Sequence, residues 1–258
     1  MENLITTIIT FTSGGAIWEG FKFFYPDPKR PIEARLAAKK TFYKNLDPIL
    51  KSSSELYGKL LSLANEDFSS FINPCNSNAT DPEHNQKYVY YLFAQFWAHL
   101  EYLRLESQYI DLAKIKKGKN LLRFIETFEA RKYRILDRSV QRIIGECLIT
   151  NENQKFRILT LKEFLDELNN PESGVSRWTS KLETKLLSVS DKNVRQQILR
   201  FGIIIAVMID YFDPKHETVR REKLYLIKLT KKSLNIIRNP LLNRYLPFTN
   251  DKSRYYKK

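Results

Sequence analysis

Four arginines in the segment RKYRILDRSVQRIIGE have a spacing that suggests a binding function. They follow one another at intervals of three, four and four residues, at Arg131, Arg134, Arg138 and Arg142. On one continuous helix this spacing would place all four guanidinium groups on the same face. Such a stripe could bind phosphate through paired hydrogen bonds, or form ion pairs with Glu101, Glu106 and Asp111 on the preceding helix. We expect ion pairing, because helical proteins commonly connect their helices in this way.

A second pattern matches the residue types of a metal-dependent nuclease motif, with Pro171-Glu172 and Glu183-Thr184-Lys185 separated by ten residues. In that chemistry, carboxylates on adjacent strands hold the metal and the lysine lies near the scissile phosphate. Here Trp178, Leu182 and Leu186 recur at helical spacing, so the Glu-Thr-Lys triplet is predicted to lie on a helix. We therefore expect no metal-dependent nuclease activity.

Other signatures of catalysis are missing from the sequence. It contains no GxxxxGK[ST], GxGxxG, GxSxG or HExxH motif. Its three histidines, His84, His99 and His216, are scattered, and its two cysteines, Cys75 and Cys147, are isolated. Isolated thiols fit a reducing compartment better than a disulfide scaffold. The sequence therefore predicts no catalytic residue, no metal and no cofactor.

Most of the net charge of +14 lies near the C-terminus. Residues 215–258 contain thirteen Lys or Arg and three Asp or Glu, a net charge of +10. Placed on a helix, residues 219–238 separate into an apolar arc and a basic arc. The basic arc contains Arg220, Arg221, Lys228, Lys231, Lys232 and Arg238. We expect this face to bind anionic membrane lipid; nucleic acid is the alternative partner, and a helix whose charges are only solvated is the third interpretation.

The first 25 residues have the composition of a membrane anchor. No charged residue lies between Leu4 and Trp18, and the run 4–24 is long enough to cross about 30 Å of hydrocarbon as a helix. Aromatic residues suited to the membrane interface follow, at Trp18, Phe21, Phe24 and Tyr25. Basic residues accumulate after them, which predicts a cytoplasmic body. The alternative is a short amphipathic helix packed on the body, which Glu19 and Lys22 favour.

Helical signals dominate the rest of the chain. The spacing of apolar residues predicts helices near 31–46, 48–71, 86–112, 118–132, 138–149, 160–169, 174–189, 191–212 and 215–238. Three Asp-Pro pairs are expected to begin helices, at 47–48, 81–82 and 213–214, because Asp caps free N–H groups and Pro suits the first turn. The segment 160–163 matches the sequence pattern of a capping box.

Two helices are predicted to form the centre of the core. Residues 88–100 and 201–209 are apolar around nearly their whole circumference, yet each run is too short to span a membrane. Residues 156–159 could form a short strand, although no partner strand is evident. We therefore predict no sheet of three or more strands.

The blocks KKTFYKNLDPILKSSSELYGKLLSLANEDF, YLFAQFWAHLEYLR and RSVQRIIGECLI resemble a group of uncharacterised bacterial proteins. Members of that group have a short N-terminal hydrophobic segment followed by a long helical cytosolic region. The resemblance covers most of residues 1–212, and the basic stretch after 215 falls outside it. It implies a membrane anchor and an all-α body, and it implies no reaction.

Together these patterns predict an all-α protein, a multi-helix bundle preceded by a membrane-anchoring helix. The expected regions are the anchor (1–25), a helical bundle domain (26–214) and a basic C-terminal helix and tail (215–258). The expected function is that of a non-enzymatic, membrane-tethered interaction or scaffold protein with a basic cytosolic face. The alternative is a soluble nucleic-acid-binding helical protein of a stress or defence pathway. The sequence leaves the protein partner and the oligomeric state open.

Overall fold

The computed structural model describes residues 29–73, 81–152 and 155–256. These residues are mostly helical and include one two-stranded hairpin, which confirms the predicted all-α class. The predicted anchor, with its belt of Trp18, Phe21, Phe24 and Tyr25, lies outside the described residues. Among the helices of the described ranges, none is long and apolar enough to cross a membrane.

The described residues form a series of helices interrupted by one pair of strands. The helices are α1 (Lys29–Asn65), α2 (Ser69–Ile72), α3 (Pro82–Glu106), α4 (Lys116–Glu129), α5 (Arg138–Cys147), α6 (Leu161–Leu168), α7 (Gly174–Leu187), α8 (Lys192–Phe212) and α9 (Lys231–Ile236). The strands β1 (Ile149–Glu152) and β2 (Lys155–Ile158) lie between α5 and α6. A π-helical segment, Ile237–Tyr245, continues α9.

The long helix α1 runs through Pro48, where the sequence predicted one helix to end and another to begin. A proline inside a helix removes one backbone hydrogen bond and normally interrupts it. Here α1 packs against both α3 and α8, and Leu46, Ile49 and Leu50 are buried on either side of the proline. The prediction of two helices is wrong because this tertiary packing outweighs the local cost.

The core forms where the sequence predicted it, on α3 and α8. Phe96 on α3, Phe128 on α4 and Phe201 on α8 are fully buried, and their ring centroids lie 5.0–6.1 Å apart. Aromatic rings at such distances add attraction beyond the burial of their apolar surface. The same core includes residues from the C-terminal segment, among them Leu229 and Leu242.

The strand predicted at 156–159 has a partner that the sequence did not reveal. β1 pairs with β2 in antiparallel register, with Ile149 opposite Ile158 and Glu152 opposite Lys155. The partner was missed because ITNE contains only one strongly apolar residue and so lacks the alternation typical of a strand. Within the described ranges the hairpin is the only sheet, as expected.

The single helix predicted at 215–238 does not form, so that prediction is wrong; within this range only the short 3₁₀ turn at 226–228 and the segment from Lys231 onwards are helical. Asp213 ends α8, and its carboxylate accepts hydrogen bonds of 2.9 Å from the backbone N–H groups of Glu217, Thr218 and Val219. The chain then continues without regular structure to a short 3₁₀ turn at Leu226–Lys228. Tertiary hydrogen bonds hold it there: the Tyr225 hydroxyl, for example, donates to the backbone oxygen of Leu199 on α8.

Candidate functional site

An exposed groove lies where the first turns of α1 meet the start of α4. It encloses about 680 Å³. The α1–α4 groove is lined by Pro31, Ile32, Arg35, Leu36, Lys39, Tyr43, Ile115, Lys116 and Lys117. The lining combines apolar with basic side chains, and none of the described residues that contribute to it is acidic. That combination suits contact with an anionic, partly apolar surface.

The apolar side chains of the groove form a stripe because of their helical spacing. Ile32, Leu36 and Tyr43 lie four and seven residues apart on α1, so they project from one face. Their exposed fractions are 61 %, 60 % and 48 %. Lys117 of α4 lies over the Tyr43 ring, with its Nζ atom 5.7 Å from the ring centroid, a favourable cation–π distance. The stripe is therefore an exposed apolar stretch of surface with positive charge at its border.

A second cationic surface surrounds the N-terminal turn of α8. The Gln196 side chain donates to the backbone oxygen of Lys228 and accepts from the N–H of Thr230, both at 2.9 Å. These bonds join the start of α8 to the segment before α9. We group Lys192 and Arg195 of α8 with Lys228, Lys231 and Lys232 of the segment that these bonds join to it, and call the group the α8 basic patch. A recess of about 150 Å³ lies beside Lys192, Arg195 and Lys228.

Arg200 lies next to this patch and is partly buried. Arg200 of α8 donates from Nη1 to the Ser233 hydroxyl at 3.2 Å, and its Nε is buried with no hydrogen-bond partner among the described residues. Burial lowers the pKa of its guanidinium group. No carboxylate of the described residues forms an ion pair with it, so its positive charge is uncompensated within that part of the chain.

The six basic residues predicted to share a helix face are separated in the structure. Lys228, Lys231 and Lys232 belong to the α8 basic patch, with Lys228 Nζ 3.0 Å from Asp67. Arg238 donates to the backbone oxygen of Tyr256 at 2.6 Å. The other two, Arg220 and Arg221, are exposed in the irregular segment after α8.

Lys192 and Arg195 of the patch were missed by sequence reasoning. They precede the boundary drawn at 215 and so fell outside the basic C-terminal count. The one sequence signal was their position in the first turn of a helix capped by Asp191. The hydrogen bonds between Gln196 and the segment that precedes Lys231 and Lys232 are long-range contacts that no local pattern reveals.

The four arginines do not lie on one continuous helix, so the condition for a single arginine face is not met. α4 ends at Glu129 and α5 begins at Arg138, with turns between them. Those turns are held by Gln141, whose buried side chain accepts from the N–H groups of Ile135 and Leu136 at 2.9 and 3.1 Å. A local side-chain bond to the backbone therefore competes with helix formation.

Three of the four arginines form ion pairs in the structure. Arg138 and Arg142 both contact the Glu129 carboxylate, at 2.9 and 2.8 Å, and Arg134 pairs with Asp137. Arg104 of α3 also contacts Glu129, at 2.6 Å. Arg131 is exposed. The network thus connects α3, α4 and α5 through one nearly buried carboxylate.

Glu101, Glu106 and Asp111 were expected to pair with these four arginines, but none of them forms a direct ion pair with one of the four. Glu101 reaches the network through its ion pair with Arg104. Glu106 pairs instead with Lys44 and accepts from the Asn45 side chain at 2.8 Å. Asp111 lies 3.9 Å from Lys114. Hydrogen bonds from Arg142 and Arg104 outweigh the burial of Glu129 and keep its pKa below the ordinary value.

A small cavity of about 120 Å³ lies beside Asp210 near the end of α8. The Asp210 carboxylate is hydrogen-bonded by Arg254 and Tyr255, and His216 Nε2 lies 3.3 Å from it. His216 itself has a positive φ of 56°. The cluster fastens the C-terminal 3₁₀ turn at 252–255 to α8.

No arrangement that could hold a metal occurs among the described side chains. Within those ranges, no group of three His, Cys, Asp or Glu residues converges on one point. Glu183 and Lys185 lie on α7, as the spacing predicted, and not on paired strands. Helix α7 therefore does not supply the adjacent-strand geometry of that nuclease chemistry.

Comparisons with protein-family models, with curated proteins and with solved structures found no match for this chain. Function must therefore be inferred from the α1–α4 groove and the α8 basic patch.

Proposed function

We propose that the protein is a non-enzymatic interaction protein tethered to a membrane by residues 1–25, with its helical body on the cytoplasmic side. We further propose that the α1–α4 groove contacts the anionic surface of that membrane. The observation that supports this most is the groove itself, in which Ile32 and Leu36 are more than half exposed beside four basic side chains. Apolar residues bordered by Lys and Arg are typical of protein surfaces at the lipid interface.

The position of the groove in the chain supports the same proposal. Pro31, at the start of the groove, lies only six positions after Tyr25, at the end of the proposed anchor. Six residues span at most roughly 21 Å when fully extended. A chain that crosses the membrane through residues 4–24 would therefore keep the groove close to the lipid headgroups.

The energies are adequate for a membrane contact that reinforces an anchor. Each Lys or Arg near an anionic leaflet contributes about 1 kcal/mol, within a Debye length of ~8 Å. The groove has four such residues, Arg35, Lys39, Lys116 and Lys117. Insertion of Ile32 and Leu36 adds the burial of apolar surface. This groove takes the place of the C-terminal helical face that the sequence predicted as the lipid-binding surface.

The proposal is tested by an environment-sensitive fluorophore attached to a cysteine in the groove. The variant Leu36→Cys is labelled in the full chain after Cys75 and Cys147 are replaced by Ser. The matched control is Leu187→Cys at the end of α7, where the leucine has a comparable exposure of 48 %. We expect a blue-shifted emission at position 36 in vesicles containing phosphatidylserine, a smaller shift in phosphatidylcholine vesicles, and little change at position 187.

Charge reversal identifies the residues responsible. Arg35→Glu, Lys39→Glu, Lys116→Glu and Lys117→Glu together should remove the difference between anionic and neutral vesicles at position 36. The same number of reversals at Lys162, Arg177, Lys181 and Lys185, on α6 and α7, should leave it. Equal shifts at positions 36 and 187, or equal shifts in the two kinds of vesicle, would rule out the groove as a lipid contact.

A further inference from the structure

The α8 basic patch and the α1–α4 groove lie at opposite ends of α1. The groove includes Leu36, whereas the recess beside the patch is lined by Ala64 at the last turn of the same helix. Twenty-eight helical residues correspond to a distance of about 42 Å. Electrostatic attraction at physiological salt is screened over ~8 Å, so the two surfaces bind their partners independently. A partner of the patch is therefore distinct from the membrane surface proposed for the groove.

The patch keeps a positive excess after its internal ion pairs are taken into account. Lys228 is paired with Asp67, and the Asp191 carboxylate caps α8 by accepting from Asn193 N–H at 2.8 Å. The other four basic residues of the patch, Lys192, Arg195, Lys231 and Lys232, form no ion pair with a described carboxylate. Arg200 adds an uncompensated charge beneath the surface. A cluster of this kind attracts a polyanion.

The shape of the patch favours the phosphate groups of a nucleic-acid backbone over those of a flat lipid surface. The recess between the end of α1 and the start of α8 is lined by Lys192, Arg195 and Lys228, by Asp67, which is paired with Lys228, and by the buried side chains of Phe68 and Leu199. A phosphate group of a flexible or helical nucleic-acid backbone can enter such a recess, whereas a flat lipid surface cannot follow it. Phe68 is only 1 % exposed and so cannot stack on a base.

We infer that the α8 basic patch binds the phosphodiester backbone of nucleic acid. Because the recess offers charge but no exposed aromatic ring, binding is independent of base sequence. The Lys and Arg side chains release counterions from the backbone, which makes the affinity fall steeply with salt. This inference does not depend on the proposed lipid contact, since the residues of the two surfaces do not overlap.

The inference is tested with the full chain in a non-ionic detergent and a fluorescein-labelled duplex DNA of mixed sequence. Fluorescence anisotropy gives the Kd over a series of salt concentrations. Contacts from four side chains predict a slope of roughly −3 to −4 for log K against log salt. The variant with Lys192→Ala, Arg195→Ala, Lys231→Ala and Lys232→Ala should bind at least about tenfold more weakly, with a slope closer to zero.

The matched control removes the same total charge elsewhere. It carries Lys162→Ala, Arg177→Ala, Lys181→Ala and Lys185→Ala, and it should keep most of the affinity and the slope. Circular dichroism and thermal melting establish that both variants are folded. Equal weakening by the two sets of substitutions, or binding that does not change with salt, would overturn the inference. It would also be overturned if the patch variant lost binding to anionic vesicles while its binding to DNA was unchanged.

Discussion

Glu101 shows how a single buried carboxyl group responds to two opposing influences. It is only 6 % exposed, and this burial raises its pKa from 4.5 to about 7. The neighbouring Arg104 and Arg142 act in the opposite direction, and burial outweighs them. Because the folded state holds the proton more tightly than the unfolded chain, ionisation of Glu101 favours unfolding.

The variant Glu101→Gln should therefore change how stability depends on pH. In the unmodified protein, Glu101 favours the folded state at low pH, and this contribution is lost as pH rises from 4.5 to about 7. A glutamine cannot ionise, so the variant should gain stability relative to the unmodified protein by ~1–3 kcal/mol between about pH 5 and about pH 8. Urea denaturation of both proteins at the two pH values measures the difference.

Subtracting the two proteins removes the contributions of other titrating groups, such as His99, whose pKa burial lowers to about 4. A stability difference that stays constant with pH would contradict this account of Glu101. So would a loss of stability in the variant that grew as the pH rose.

The residue scale also shows the limit of reading chemistry from spacing. The sequence correctly placed Glu183 and Lys185 on a helix, because their periodicity is local. It could not identify Glu129 as the shared partner of Arg104, Arg138 and Arg142. That contact requires α4 to end at Glu129 and the chain to turn back, and the turn depends on the buried Gln141 side chain.

At the scale of elements, α3 and α5 approach each other unusually closely at Gly145. A Cβ atom at this position would lie 2.8 Å from both the carbonyl carbon and the carbonyl oxygen of Trp97. These are backbone atoms of α3, so the obstruction cannot be relieved by a side-chain rotation. The absence of a side chain at Gly145 is therefore what allows the two helices to pack.

Gly145→Ala should destabilise the protein by about 2 kcal/mol or more, since the two helices must separate to admit the methyl group. The control is Gly58→Ala on α1, where nothing lies within 4 Å of the added Cβ atom. That variant should be more stable by roughly 0.5–1 kcal/mol, because alanine favours the helix over the unfolded chain. Thermal unfolding followed by circular dichroism distinguishes the two, and equal effects would contradict the packing described.

The elements that could be predicted are those whose signals are local. Asp81 caps α3 by accepting from His84 N–H at 2.9 Å, and Thr160 and Glu163 form the predicted capping box at α6. Residues 215–238 could not be predicted, because an amphipathic pattern there is overridden by bonds to α8. The same Asp-Pro dipeptide begins a helix at 81–82, lies inside one at 47–48 and follows the end of one at 213–214.

At the scale of the whole molecule, one helix carries the two proposed surfaces. The first turns of α1 form the α1–α4 groove, and its last turn borders the α8 basic patch. Between them α1 packs on α3 and α8 and forms part of the core. The predicted concentration of positive charge near the C-terminus was useful, but only the fold showed that the segment before Lys231 and Lys232 is hydrogen-bonded to Gln196 on α8, the helix that also carries Lys192 and Arg195.

The most direct test of the tethered interaction protein is fractionation of cells that produce either the full chain or the chain without residues 1–25. Membranes are washed in high salt and then in alkaline carbonate. The full chain should stay in the membrane pellet through both washes, because a spanning helix is held by hydrophobic burial and not by screened charge. The shortened chain should appear in the supernatant as a folded, helical protein. Release of the full chain by high salt, or unfolding of the shortened chain, would contradict the tether.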